Sequence, residues 1–205
     1  MSLTAVALNC TLKPDGESST DAMIAVLGDA FAKHDVTLTE TLRVAAQNVK
    51  FGVSSDEGEG DGWPAIRAKI LAADILILGT PIWMGQMGSV AKVVLERMDA
   101  FLSEIDDNGR MPSTGKVAVA AIVGNEDGAH IASAQMFQSL NDTGWTIPAS
   151  AACYWVGEAM HKIDFKDLPT TPEKVLETAA MTASNAAHLA RLLKTTGYSG
   201  VKSSD

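Results

Sequence analysis

The sequence predicts a doubly wound α/β fold, in which a five-stranded parallel sheet carries helices on both faces. Short apolar runs of strand length alternate with longer segments whose apolar residues recur at helical spacing. Some of these runs are apolar at nearly every position, which is typical of parallel strands covered on both faces. Because crossovers between parallel strands are right-handed, helices that alternate with the strands wrap the sheet from both sides.

The first half of the chain predicts two strands and two helices. The strands are the apolar run Leu3–Leu8 and Val36–Leu42, in which apolar residues alternate with threonine. Between them, Ser18–Asp21 offers side-chain oxygens for a helix N-cap. The helix itself is indicated by the spacing of Met23, Ile24, Leu27 and Phe31. After an acidic, glycine-rich loop, Asp61 could cap a second helix with an inner face of Ile66 and Ile70.

The second half predicts three strands and three helices. The strands lie at Asp74–Gly79, at Lys116–Val123 and within Thr146–Val156, where Pro148 interrupts the pattern. A loop, Thr80–Met87, leads from the third strand to a helix marked by Val90, Val93, Val94 and Met98. The other two helices are expected at about residues 129–140 and from Thr171 onward. The sequence shows neither an internal repeat nor an interdomain linker, so residues 1–205 are expected to form a single domain.

The composition excludes several classes of partner. The chain has 25 acidic and 16 basic side chains, a net charge of -9, and its basic residues are scattered singly. Nucleic acid and anionic membrane surfaces are therefore not expected as main partners, since both need clustered Lys and Arg. No window holds the ~18 apolar residues of a membrane span, and the N-terminus lacks the positive charge of a signal peptide. These features favour a cytoplasmic protein.

Metal and disulfide chemistry are not expected either. Cys10 and Cys153 lie far apart, neither in a CxxC pair, and the four histidines share no ligand-like spacing. Both thiols are expected to be buried small hydrophobic groups in a reducing compartment.

Open α/β sheets bind ligands beyond the carboxyl ends of their strands. The first loop at that edge, Asn9–Thr20, lacks the glycine-rich dinucleotide and P-loop motifs. It carries Lys13 and four hydroxyls, those of Thr11, Ser18, Ser19 and Thr20. Hydroxyls and amides at a helix N-terminus suit a phosphate dianion, although the same residues could be helix caps with no ligand.

Two further loops lie at the same edge. Gly79–Gly88 is apolar for a surface loop: Trp83 could stack on a flat ligand with Met84 filling gaps, or the loop could be buried in a subunit interface. Gly124–His130 could be a turn with a capped helix and a surface histidine, or it could border a ligand held by the neighbouring loop.

Together the three loops resemble the flavodoxin-like NADPH-dependent FMN reductases, a superfamily that includes quinone reductases and iron–sulfur flavoproteins. The matching segments are NCTLKPDGESST, similar to the family's phosphate loop; GTPIWMGQMGSVAKVVLERMD, similar to its TPIY or TPIW loop and helix; and VGNEDGAH, similar to the loop beside the flavin ring. The resemblance covers roughly residues 3–160 and implies the strand order 2-1-3-4-5. It also implies FMN as cofactor and NADPH or NADH as hydride donor. The cysteine cluster of the iron–sulfur branch is absent, so no such cluster is implied.

Carried over residue by residue, the resemblance assigns a cofactor site. The phosphate of FMN falls on Thr11, Lys13, Ser18, Ser19 and Thr20. The isoalloxazine ring lies along Pro81, Ile82, Trp83, Met84 and Gly85. The other edge of the ring is bordered by Gly124, Asn125, Asp127 and His130. His130 is also the candidate catalytic residue, as a hydrogen-bond donor to the reduced ring or to the acceptor.

The resemblance implies an oxidoreductase that passes a hydride from NAD(P)H through FMN to a flat small-molecule acceptor such as a quinone or a flavin. It also implies a homodimer or homotetramer. The alternative is a flavodoxin-type electron carrier without turnover of its own, which the acidic charge would suit because carriers dock on basic partners. The apolar segment around Trp83 favours the enzyme. A response regulator is less favoured, since Asn9 and Cys10 replace its acidic cluster, and a hydrolase lacks its GxSxG motif.

Overall fold

The central sheet has the predicted order. In the computed structural model, which describes residues 2–202, five parallel strands and one short hairpin strand are present: β1 Leu3–Asn9, β2 Val36–Arg43, β3 Ile75–Trp83, β4 Gln86–Met87, β5 Val117–Gly124 and β6 Ala152–Val156. The parallel strands run in the order β2-β1-β3-β5-β6, and β4 pairs antiparallel with β3. Without the hairpin strand this order is 2-1-3-4-5, so the predicted fold class is confirmed.

The helices cover both faces of this sheet. Within the described residues they are α1 Ser19–Ala32, α2 Trp63–Ala72, α3 Ser89–Met98, α4 Ala129–Asp142 and α5 Glu173–Thr195. Helices α1 and α5 pack in one apolar core on one face, while α2, α3 and α4 pack in a second core on the other. Among the described residues, none of these helices has both the length and the apolar stretch needed to span a membrane.

The N-cap predicted for α1 is confirmed, whereas Asp61 lies one residue before the cap of α2. The Oγ of Ser18 accepts a hydrogen bond from the backbone N of Asp21 at 3.1 Å, as an N-cap does. The predicted inner face of α1 is buried throughout. At α2, the carboxylate of Asp61 accepts from the backbone N of Trp63 at 3.1 Å, although Gly62 lies between them as the cap residue.

The predicted end of the third strand at Gly79 is wrong. Strand β3 continues to Trp83, and Met84 and Gly85 then turn the chain into β4. Both turn residues have positive φ, 53° and 72°, as in the two-residue turn that matches the twist of a hairpin. The extension is held to the sheet because Pro81 pairs with Val123 of β5.

A buried ion pair organises the acidic loop between β2 and α2. A guanidinium nitrogen of Arg97 lies 2.6 Å from the carboxylate of Asp61, and both side chains are fully buried. Arg97 also donates to the carbonyls of Lys50 and Ser54 at 2.9 and 3.0 Å. Burial alone would raise the pKa of Asp61, but hydrogen bonds from Arg97 and from three backbone amides outweigh it and hold that pKa well below its usual range.

Candidate functional site

A cleft of about 480 Å³ opens at the carboxyl ends of the strands, where this fold binds ligands. Its first wall is the loop after β1 with the start of α1, and the ends of β3 and β5 also line the cleft. The second wall belongs to residues 157–172, which we call the β6–α5 connection because they link those two elements.

One end of the cleft is rich in hydrogen-bond donors. All five predicted phosphate contacts line it: Thr11, Lys13, Ser18, Ser19 and Thr20. Helix α1 begins at Ser19, and the first amides of a helix have no partner within it. Over residues 2–202, the amides of Ser19 and Thr20 and the hydroxyl of Thr20 donate to no protein acceptor. These groups are therefore available to an anion.

The other end of the cleft is largely apolar. It is lined by Pro81, Ile82 and Trp83 from β3, Val123 and Gly124 from β5, and Trp155 from β6. The floor is tight at Gly124, where a Cβ atom would lie 2.7 Å from the Cβ of Ile82. Trp83 is 54% exposed, so much of its indole is available to a ligand. An apolar wall beside a donor-rich end suits a flat ring that carries an anionic tail.

The β6–α5 connection is fixed by contacts with two loops of the cleft. The side-chain nitrogen of Asn125 donates to the carboxylate of Asp164 at 3.0 Å, and the amide of Gly157 donates to the carbonyl of Gly124 at 2.8 Å. The amide of Lys166 donates to Ser19 Oγ at 3.3 Å. A hydrogen bond to Asp167, 2.6 Å from the ammonium, raises the pKa of Lys166.

Sequence reasoning missed the part of the site that this connection supplies. The connection supplies Met160, His161, Asp164, Phe165 and Lys166, and the other cleft residues that were not predicted are Leu12, Val123, Glu126 and Trp155. The rings of Trp155 and Phe165 pack with centroids 5.6 Å apart. No motif marks this segment, and its position after the last strand was the only available signal.

Four predicted contacts line a separate hollow of about 560 Å³ beside the hairpin turn. They are Met84, Gly85, Asp127 and His130. The Nε2 of His130 lies 3.0 Å from the hydroxyl of Tyr154, and the two rings meet edge to face. The structure thus does not bring these four residues together with the predicted contacts that line the cleft.

The two cysteines are buried and unpaired. Burial raises the pKa of Cys153 to about 12 and raises that of Cys10 as well, so both side chains are neutral thiols near neutral pH. Cys153 contacts the sulfur of Met23 at 3.6 Å within the core. Both behave as small hydrophobic groups.

Comparison with known families identifies the chain. Residues 3–160 match the family model described as NADPH-dependent FMN reductase. The chain belongs to this family. The resemblance given by the three loops is therefore confirmed, and with it FMN and NAD(P)H as cofactors. The donor-rich and apolar ends of the cleft fit the phosphate and the ring of FMN, respectively.

One relative is named as the synthase of a riboflavin phosphate derivative. The chain is 31% identical over 212 residues to 8-demethyl-8-aminoriboflavin-5'-phosphate synthase of Streptomyces davaonensis, a match that covers 97% of this chain and 81% of that protein. It is also similar to the crystal structure of RosB with bound 8-demethyl-8-formylriboflavin-5'-phosphate. The TM-score is 0.84 at 29% identity, over 97% of this chain and 82% of that one.

Another relative is much longer than this chain. The chain is 37% identical over 162 residues to a protein of Mycobacterium bovis named divalent metal cation transporter MntH. The match covers 77% of this chain, but this chain spans only 24% of that protein.

Proposed function

We propose that the chain binds FMN in the cleft and passes a hydride from NAD(P)H through it to a flat small-molecule acceptor such as a quinone or a flavin. The observation that carries this proposal is the division of one cleft into a donor-rich end at the start of α1 and an apolar end at β3 and β5. Bound FMN supplies the hydride chemistry, and the protein supplies binding, orientation and electrostatics.

At the donor-rich end, hydroxyls and amides hold the phosphate. Ser19 Oγ accepts a hydrogen bond from the amide of Lys166, so its own proton remains free to donate to a phosphate oxygen. The hydroxyl of Thr20 and the amides of both residues add further donors. The helix dipole favours an anion at this position, and Lys13 contributes a positive charge.

At the apolar end, residues of β3 and β5 orient the ring. Pro81 and Ile82 offer apolar contact, and the absence of a side chain at Gly124 lets Ile82 pack directly against that strand. Trp83 is half exposed, so its indole can pack against the ring or against a flat acceptor that enters from solvent. Hydride transfer requires neither a nucleophile nor an obligatory general base. In keeping with this, the cleft residues on β3 and β5 are not titratable.

Several broader proposals go with this function. One sheet with a single core on each of its faces supports one domain over residues 1–205. The two free, buried thiols support a reducing, cytoplasmic compartment. The hairpin turn, where Met84 is 86% exposed, supports a homodimer or homotetramer in which this turn is covered.

The test is a titration followed by a turnover assay. Purified protein is titrated with FMN and with riboflavin, and the loaded protein is then mixed with NADPH or NADH and a quinone. We expect FMN to bind more tightly than riboflavin, and NAD(P)H to be oxidised with repeated turnover. Protein that ignores added FMN would contradict the proposal, while FMN binding without turnover would favour the electron carrier.

A further inference from the structure

We infer that Asp21 is a positioning residue, which acts through Ser18 to hold the loop after β1 in the shape that receives the phosphate. The inference rests on the proposed function, because it assumes that the phosphate of FMN lies at this loop. It gives an acidic side chain a part in anion binding. Like charges repel, so a carboxylate beside a phosphate would otherwise be expected to weaken binding.

Asp21 is the centre of a polar network at the end of β1. One of its carboxylate oxygens accepts a hydrogen bond from the side-chain amide of Asn9. The other accepts from the hydroxyl of Ser18 at 3.0 Å and forms an ion pair with Arg43. The backbone N of Asp21 in turn donates to Ser18 Oγ at 3.1 Å.

The same network reaches both ends and the middle of the loop. Asn9 is fully buried; its side-chain Oδ1 accepts from the backbone amide of Thr11 at 2.9 Å, and its side-chain Nδ2 donates to Ser18 Oγ at 3.2 Å. Arg43 donates to the carbonyl of Gly16 at 2.5 Å. The loop is therefore fixed at its first residues, at its centre and at its last residue by side chains that converge on Asp21.

This arrangement leaves the hydroxyl of Ser18 without a proton for the phosphate. Its one proton goes to the carboxylate of Asp21, and its oxygen accepts from Asn9 and from the amide of Asp21. Ser18 lines the cleft, but as a support for the loop. The donors that face a phosphate are those of its neighbours Ser19 and Thr20.

Electrostatics and positioning predict opposite effects when the charge of Asp21 is removed. A carboxylate in the first turn of α1 repels a phosphate bound at the same turn, so its neutralisation should tighten FMN binding. The carboxylate, however, accepts from three donor side chains: Asn9, Ser18 and Arg43. An amide offers a single acceptor oxygen and turns an N–H group toward another donor, so Asp21→Asn disrupts the network.

The experiment compares FMN with riboflavin, which has the same ring and no phosphate. The dissociation constants of both ligands are measured for wild type, Asp21→Asn and the matched control Glu17→Gln. Glu17 is an exposed acid one residue before Ser18 that does not line the cleft. We expect Asp21→Asn to weaken FMN about tenfold, as the loss of an organised charged hydrogen bond does, with riboflavin unchanged. Glu17→Gln should leave FMN binding unchanged or slightly tighter.

Other outcomes overturn the inference. If Asp21→Asn binds FMN as tightly as wild type or more tightly, Asp21 acts only by repelling the phosphate. An equal loss for FMN and riboflavin would make it a general structural residue. Asp21→Ser, which is neutral and turns no amide toward the donors, provides the same comparison if the Asn variant fails to fold. A wild type without any preference for FMN over riboflavin would instead refute the proposed phosphate position itself, and the inference with it.

Discussion

The backbone amide of Lys166 donates a hydrogen bond to Ser19 Oγ at 3.3 Å, which joins the β6–α5 connection to the first turn of α1. A segment that follows the last strand thereby forms a wall of the same cleft as the loop that follows the first strand. Any ligand whose phosphate lies at Ser19 is covered on that side by the connection. The stability of this contact should therefore affect how fast the ligand leaves.

Asp164→Ala tests this role of the connection. The substitution removes the acceptor of the 3.0 Å hydrogen bond from Asn125. We expect FMN to dissociate about fivefold faster, the effect of one hydrogen bond of ~1 kcal/mol. Dissociation is followed by flavin fluorescence after dilution. Lys162→Gln is the control, because this exposed side chain on the same connection does not line the cleft. Equal rates for both variants would mean that the connection does not retain the flavin.

Thr20→Ala tests the donor-rich end of the cleft. The hydroxyl of Thr20 has no protein acceptor within the described residues, and we assign it to a phosphate oxygen. Its removal should weaken FMN binding by roughly 1.5–3 kcal/mol and leave riboflavin binding unchanged. Isothermal titration with both ligands measures this, with Thr178→Ala on α5 as the matched control. Unchanged FMN affinity would move the phosphate away from Thr20.

Trp83→Ala and Met84→Ala separate the cleft from the hairpin turn. The two residues are adjacent and exposed, but Trp83 lines the cleft and Met84 lines the neighbouring hollow. Loss of the indole should weaken FMN or raise the KM for a quinone by several-fold, since stacking contributes about 0.5–1.5 kcal/mol beyond area burial. Met84→Ala should leave both values near wild type. Identical behaviour of the two variants would argue that Trp83 serves subunit packing.

His130→Gln tests the predicted catalytic residue. Because the ring of His130 contacts Tyr154 and lines the hollow outside the cleft, we expect the variant to bind FMN with wild-type affinity. The measurement is an FMN titration together with kcat for quinone reduction. Weaker FMN binding would contradict the geometry, and a selective fall in kcat would support its predicted contact with the acceptor.

Asp61→Asn tests the buried ion pair and its pH dependence. Breaking a buried pair by neutralising one partner typically costs about 3–5 kcal/mol of the free energy of unfolding. The pKa of Asp61 is lower in the folded protein than in the unfolded chain, so the stabilisation is fully present above an unfolded pKa of about 3.9. It is lost as the pH falls through the folded pKa.

Urea unfolding of wild type and Asp61→Asn from neutral to acidic pH measures this effect. The difference in unfolding free energy should be largest near neutral pH and shrink below about pH 4. Asp29→Asn, an exposed acid on α1, should show no such difference. A difference in unfolding free energy between wild type and Asp61→Asn that grows toward acidic pH would contradict the lowered pKa of Asp61.

The sequence predicted the elements of the fold because the apolar patterns are local. Buried runs such as Leu3–Leu8 and the N-cap at Ser18 need no knowledge of the rest of the chain. The end of β3 was missed because Pro81 and the glycines after it are typical of a loop. Pairing with Val123 of β5, which is remote in sequence, and with the hairpin strand β4 keeps this segment extended.

The candidate site, like the fold, was predictable where its residues are close in sequence. Its hydroxyls and its apolar loop are contiguous motifs, whereas Lys166 and Asp164 reach the cleft only through the path of the chain after β6. His130 was expected at the cleft because its loop begins there at Gly124. Helix α4 starts at Ala129, however, and the histidine ring turns toward Tyr154.

The most direct test of the proposed function is anaerobic mixing of the FMN-loaded protein with NADPH or NADH and no other acceptor. If the chain accepts a hydride from a nicotinamide at its bound flavin, the visible absorption of FMN falls while an equal amount of NAD(P)H is oxidised. Bound flavin that keeps its absorption, with both nicotinamide nucleotides unconsumed, would contradict the proposal.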